Sequence, residues 1–438
     1  MGKSKLQRML VGAALVLSMG AGALSVSASS EEQPEKTIRI YSNRTESHVA
    51  YQILQDIIGQ YQEEVNPNFK AEFECEPNLD QYKNKLKLYI AGDELPDLFQ
   101  IDRGPIAEEL TSQGKLVNMD EQLEKAGLAD SLDEGCRGYV QNDDGSLYIQ
   151  PEARYGNTFF YWKDQFEAAG ITETPATFTE FLDVCQKLKD NGSIPLGITG
   201  KASWNLLHIM YLPSWTVTGN DWLNQAKRGE VRFSEIPVVQ DCAEFLNTLA
   251  QNEYFPAGFS NIEYTDIMNG FIEGQYAMVW CQSVYLGQFS DAYDEGKLGF
   301  FTIPVNDKEE SYEQKATMAI QTGISWALNQ EKFDEEMERF YQFLLTHYAD
   351  TCYKYDTFPQ FNVDPPADKS QIMKDYYEIM KQQTISWSNW DDNCDPVTGQ
   401  LMDDLVKQLA AGMITPEDFL TQLDESAATN GADYFSVK

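Results

Sequence analysis

Three histidines, seven cysteines and a large excess of carboxylates are the groups here that could carry acid–base, nucleophilic or metal chemistry. Their spacing argues against most of it. His48, His208 and His347 lie far apart, with no H-E-x-x-H pair, so a multi-histidine metal site is not expected. The cysteines (75, 136, 185, 242, 281, 352 and 394) contain no C-x-x-C pair, which excludes a zinc ribbon or thioredoxin-type centre. Neither a G-x-S-x-G elbow nor a G-x-x-x-x-G-K-[ST] loop occurs. Asn142-Asp-Asp-Gly145 shares part of a calcium loop, but Val140 falls where the first ligand belongs, and the segment reads as a hairpin turn. A Ser–His–Asp site needs only one histidine, and carboxylate pairs abound in an acidic chain, so a hydrolytic site stays open. No particular pair stands out.

The elements that would position functional groups are legible from periodicity. Thr37–Tyr41 and the alternating Phe69–Cys75 read as strands, and Pro96–Ile101 as a third. Between them, Val49, Ile53, Leu54, Ile57, Ile58 and Tyr61 recur at helical spacing, with Ser47 as N-cap, and a second helix covers roughly Gln81–Ala91. Strand, helix, strand, helix, strand implies a parallel sheet with covering helices. Further along, Val140–Tyr148 reads as a hairpin turning at Asp144-Gly145, and Pro195–Thr199 and Tyr276–Cys281 as strands. Thr177 and Glu180 form a capping box for a helix that Gly192 closes. Helices are also expected over Val238–Gln251 and Phe333–His347, and one begins at Thr415-Pro416. Cys185 and Cys242 fall on apolar stripes, favouring buried free thiols over a disulfide framework.

With 69 acidic and 33 basic residues among 438, the formal charge is −36. Such a polyanion does not hold nucleic acid or an anionic membrane through its overall field. Hydrophobic content of 42% and charged content of 23% are globular values, and the length suits two or three domains. Lys3, Lys5 and Arg8, an uncharged stretch from Met9 and the small-residue site Val26-Ser27-Ala28 read as a secretory signal peptide, with an uncleaved membrane anchor as the rival reading. The first cysteine is Cys75, so no lipid-anchoring cysteine follows the signal. An extracytoplasmic location is expected, in a periplasm or at the outer face of the cell membrane.

Five segments, in order, carry a resemblance. They are Leu88-Tyr-Ile-Ala-Gly-Asp-Glu-Leu-Pro-Asp-Leu-Phe-Gln-Ile-Asp102, Gly114-Lys-Leu-Val-Asn-Met-Asp120, Pro151–Lys163 running on to Phe181, Phe271-Ile-Glu-Gly-Gln-Tyr-Ala-Met-Val-Trp280, and Leu298-Gly-Phe-Phe-Thr-Ile-Pro304. Together they resemble bacterial extracellular solute-binding proteins of the maltose-binding-protein-like branch. Trp162 replaces the usual Asn of Y-N-K, and Gln282-Ser283-Val284, with Tyr285 next, replaces Gly-Ser-Trp. The resemblance implies an α/β fold of two hinge-linked lobes around a central cleft. Its expected division is a signal peptide (1–28), a polar tether (29–36), the first lobe (37–154), the second lobe (155–304), a return to the first lobe (305–357), and the second lobe's remainder (358–438).

Ligands of such folds bind at the carboxyl ends of strands. Sugars match aromatic platforms flanked by charged or amide hydrogen-bonders. The candidates are Asn43, Arg44 and Glu46 after the first strand and Asp102-Arg103 after the third, which matches a sugar-binding Asp-Arg pair of the relatives. To these are added Tyr155 on the crossing strand, Trp204 in a strand-end loop, Ser283 and Tyr285, and Trp387 and Trp390 as stacking residues. Trp162, Trp280 and Trp326 are assigned to the core, and Trp215 and Trp222 are left unplaced. The implied function is the substrate-binding subunit of an ABC transporter. It would capture a sugar or oligosaccharide by hinge closure as a monomer, without catalysis, cofactor or metal, and deliver it to the permease subunits. A secreted carbohydrate-active enzyme and a receptor for a membrane sensor are the alternatives.

Overall fold

In the computed structural model, the described residues are 33–142, 144–217, 221–309, 318–382, 389–391 and 394–436. The segment read as a signal peptide lies outside them. Among the described residues nine strands build two sheets. The first sheet runs β2-β1-β3-β9, from Lys36–Ser42 (β1), Phe69–Cys75 (β2), Leu98–Ile101 (β3) and Ser325–Leu328 (β9). β1 pairs in parallel with β2 and β3, as the strand–helix rhythm requires, while β9 enters antiparallel to β3. The second sheet runs β5-β6-β4-β7, from Tyr155–Trp162 (β4), Ile194–Gly197 (β5), Tyr276–Gln282 (β6) and Leu298–Phe301 (β7), with Ala319–Gln321 (β8) also pairing with β4. β8 falls in the stretch assigned to the returning first-lobe segment, yet still pairs in the second sheet; β9 completes the return.

The helices follow from local rules. Val49–Glu64 buries Ile53, Leu54, Ile57, Ile58 and Tyr61, the stripe read from the sequence. Its N-cap is His48 rather than Ser47, with the imidazole accepting from the Ala50 N–H. Phe178–Asp190 opens with the Thr177/Glu180 capping box, and Pro416–Ser426 opens with Thr415 as cap and Pro416 in its first turn. The helix Glu335–Lys354 packs on Val49–Glu64 beneath the first sheet, and Phe340 stacks on Phe69 at 4.6 Å. In the second lobe, Ser203–Trp215, Pro237–Gln251 and Pro396–Ala410 pack together. Burial of each large apolar side chain in these cores contributes about 1.5–3 kcal/mol.

Two readings are corrected. The described residues of Val140–Tyr148 form no strand; Val140 ends the helix Glu134–Val140, and a turn closed by Gly145 N–H to Asn142 O follows. Among the described residues, only the backbone bond from Asn142 N–H to Ser146 O pairs the flanks, because the residues up to Val140 are already committed to a helix. Trp204 lies in the first turn of the helix Ser203–Trp215, not in a loop. All seven cysteines are free thiols, with Cys75 exposed and the other six buried. No helix of the described residues is long and apolar enough to cross a membrane.

Candidate functional site

Strand ends from both sheets converge where the chain passes from one lobe to the other. Three passages run side by side. Gln150 bridges Trp326, the Glu152 N–H donates to Thr322 O, and the Arg154 N–H donates to Phe358 O. A buried ion pair, Arg154 Nη2 to Asp133 Oδ2 at 3.0 Å, ties these passages to the first lobe, and Arg154 also donates to Met380 O.

Glu152 is the hub of the cleft floor. Its side chain is fully buried, and it accepts from Arg44 Nε (3.1 Å), Gln100 Nε2 (3.0 Å) and the Tyr155 hydroxyl (2.9 Å). Gln100 in turn accepts from Ser42 Oγ and the Asn43 N–H, which fixes the loop after β1. Burial opposes the charge on Arg44, but Glu152, with Tyr155 and Asp102, raises its pKa above the ordinary arginine value. His48 is held neutral: burial and then the Arg44 charge push the imidazole down to about 4.

A second polar cluster continues the floor. β8 sets Gln321 opposite Tyr155. Its amide contacts His208 Nε2 and Asn389 Oδ1, both at 3.3 Å, and accepts from Asn157 and Gln282. Trp204 stands against His208 and Tyr264 with 38% of its surface exposed. Ser283, one residue beyond β6, is buried, and its Oγ has no hydrogen-bond partner among the described residues.

Beside this floor a cavity of about 600 Å³ opens between the lobes. The first lobe lines it with Lys83, Lys87, Gln100, Asp102 and Arg103; the second lines it with Asp391, Asp395, Gln400 and Asp403. Lys83 lies 3.6 Å from Asp102. Burial raises the Asp403 pKa, and Lys83 opposes that rise from the facing wall.

Arg44, Asp102, Arg103, Tyr155, Trp204 and Ser283 therefore gather around the floor or the cleft walls. Asn43 spends its side-chain amide on the carbonyls of Glu76 and Pro77. Glu46 is exposed, and Tyr285 is half-buried against Phe289 and Tyr264. Trp390 is corrected: it is 1% exposed, stacked on Tyr211 at 4.7 Å and packed against Trp222 and Phe233. The aromatic cluster outcompetes the cleft for that indole. Trp387 lies outside the described residues. The sequence reading missed Glu152, Gln100, Gln321, His208 and Asn389. A polar residue inside the buried strand Leu98–Ile101 was the available signal for Gln100.

Residues 45–350 match the family model for bacterial extracellular solute-binding proteins. The chain is 22% identical over 283 residues to the multiple sugar-binding protein of Streptococcus mutans, covering 63% of this chain and 64% of that protein. It is 23% identical over 159 residues to the sn-glycerol-3-phosphate-binding periplasmic protein UgpB of Rhizobium meliloti, covering 35% of this chain and 33% of that one. The alignments thus span less than two thirds of both relatives. A solved chitin oligosaccharide binding protein superposes with a TM-score of 0.76 at 18% identity, covering 91% of this chain and 99% of its own.

Proposed function

The chain belongs to the bacterial extracellular solute-binding protein family, and from that membership we propose that it captures a sugar or oligosaccharide outside the cytoplasm and delivers it to the permease subunits of an ABC importer. The observation that carries this reading is the cleft. A cavity of about 600 Å³ is large enough for a small saccharide and lies between walls from both lobes. The polar floor beside that cavity offers groups that suit a sugar. Arg44 keeps both Nη groups without a protein partner among the described residues, and Ser283 offers a buried hydroxyl. Trp204 presents an indole that can cover an apolar pyranose face. The sugar-binding and chitin-oligosaccharide-binding relatives support the ligand class.

The proposed role is capture without turnover, by a monomer, with no cofactor. Arg44, Gln100 and Tyr155 hold the Glu152 carboxylate in three hydrogen bonds, which supports a positioning role for it over an acid–base one. Closure of the lobes about the three passages would bury the ligand. A thermal-shift screen against a carbohydrate panel tests the reading. A ligand at 100 times its Kd stabilises by about 2.7 kcal/mol. A rise in Tm with at least one saccharide, and chromatographic recovery of that saccharide intact, is expected. No shift with any sugar, alongside a shift with sn-glycerol 3-phosphate, would overturn the sugar assignment; cleaved saccharide would overturn the non-enzymatic one.

A further inference from the structure

We propose that Glu152 sets the charge preference of the cleft: by binding Arg44 through Nε alone, it leaves the Nη edge to donate to uncharged hydroxyls while cancelling the charge that would attract a phosphorylated or carboxylated ligand. The inference rests on the sugar-binding reading and adds a specificity-determining residue to it.

The argument is one of charge and geometry. A guanidinium in a partly buried cleft is by itself a strong bidentate site for phosphate or carboxylate. Arg44, on the loop after β1, is partly buried beside the cavity residues Gln100 and Asp102, with 19% of its side chain exposed. Glu152 changes what it can bind. Its carboxylate has no solvent-exposed surface and sits 3.1 Å from Arg44 Nε. An anion arriving at the Nη edge would meet this carboxylate in surroundings of low dielectric, where like charges repel strongly. A neutral hydroxyl takes the same N–H donors without that cost.

Among the described residues that make up the floor, Arg44 is the cation that Glu152 balances. On the cavity wall beside it, Lys83 is paired with Asp102 and Arg103 has contacts of its own, while Lys87 adds a charge that all the compared variants share; His48 is neutral at physiological pH. The tether holding Glu152 is equally specific. Gln100 Nε2 and the Tyr155 hydroxyl bind its two oxygens separately, and Tyr348 holds its backbone carbonyl at 2.5 Å. Its orientation toward Arg44 is therefore fixed before a ligand arrives.

Isothermal titration with inorganic phosphate at low ionic strength tests this on wild type, Glu152→Gln and Arg44→Gln/Glu152→Gln. Glutamine keeps the size and one acceptor but removes the charge. Wild type should bind phosphate at least about tenfold more weakly than Glu152→Gln, and the double variant should lose the gain. Equal phosphate affinity of wild type and a folded Glu152→Gln overturns the proposal, as does a gain that survives removal of Arg44. Should Glu152→Gln fail to fold, wild type decides: saturable phosphate binding abolished by Arg44→Gln overturns it, and no binding supports it. If wild type binds no sugar in the carbohydrate panel, the sugar reading falls, while the phosphate comparison still reports on Glu152.

Discussion

Tryptophan shows what residue-level reasoning could and could not extract. Trp390 and Trp204 were both read as ligand-facing, and only one is exposed. Trp390 occupies a cage of Tyr211, Trp222 and Phe233, so Trp390→Ala should cost ~3–5 kcal/mol of stability in denaturant unfolding. Trp204→Ala should cost far less stability, yet weaken binding of any sugar found in the screen by ~2 kcal/mol, about thirtyfold in Kd. The reverse pattern would exchange their roles. A polar stretch such as Ser386–Asp391 gives no sign that three distant elements will fold an aromatic cage around one of its indoles. The Asp102 position was legible because it depends only on where β3 ends. Glu152 was not legible, because its partners Arg44, on the loop after β1, and Gln100, in β3, lie far away in the chain.

Elements were readable where one face is wet and the other buried. Val49–Glu64 and Phe178–Asp190 carry a clear apolar stripe. Ser203–Trp215 does not, because every residue from Asn205 to Trp215 is buried, and a helix apolar all round has no period to detect. The start of Val49–Glu64 also carries a pH dependence. His48 Nδ1 must be unprotonated to accept from the Ala50 N–H, and burial with the Arg44 charge lowers its pKa to about 4. The unfolded chain keeps the higher, ordinary histidine pKa. Between the two values the unfolded state therefore binds the extra proton. The stability this group contributes is complete above the unfolded pKa and drains away as pH falls toward about 4. The stability difference between wild type and His48→Gln should thus be larger at neutral pH than near pH 4.5, measured by urea unfolding. A difference independent of pH would show that His48 does not titrate there.

At the scale of the whole molecule, the two lobes are joined by three neighbouring passages, and their buried polar groups determine how the joint behaves. The Arg154–Asp133 pair is the deepest of these, so Asp133→Ala should destabilise by ~3–5 kcal/mol, because it strands a buried guanidinium. We predict that the bend falls at Gly323, which lies between β8 in the second sheet and β9 in the first. Its φ of +67° is one that side-chain-bearing residues seldom adopt. A Cβ there would also lie 3.0 Å from the Tyr155 ring and 3.1 Å from the Glu152 carboxyl carbon. Gly323→Val should therefore cost ~1–3 kcal/mol and press on the floor where the lobes meet. Small-angle scattering then separates stability from motion. Wild type saturated with a sugar from the screen should show a smaller radius of gyration than the free protein, as closure of the lobes requires. Gly323→Val, studied at a temperature where it remains folded, should bind more weakly and contract less. An equal contraction in both proteins would move the bend to the passages at Gln150–Arg154 and Phe358–Asn362, whose backbone hydrogen bonds would then have to yield on closing.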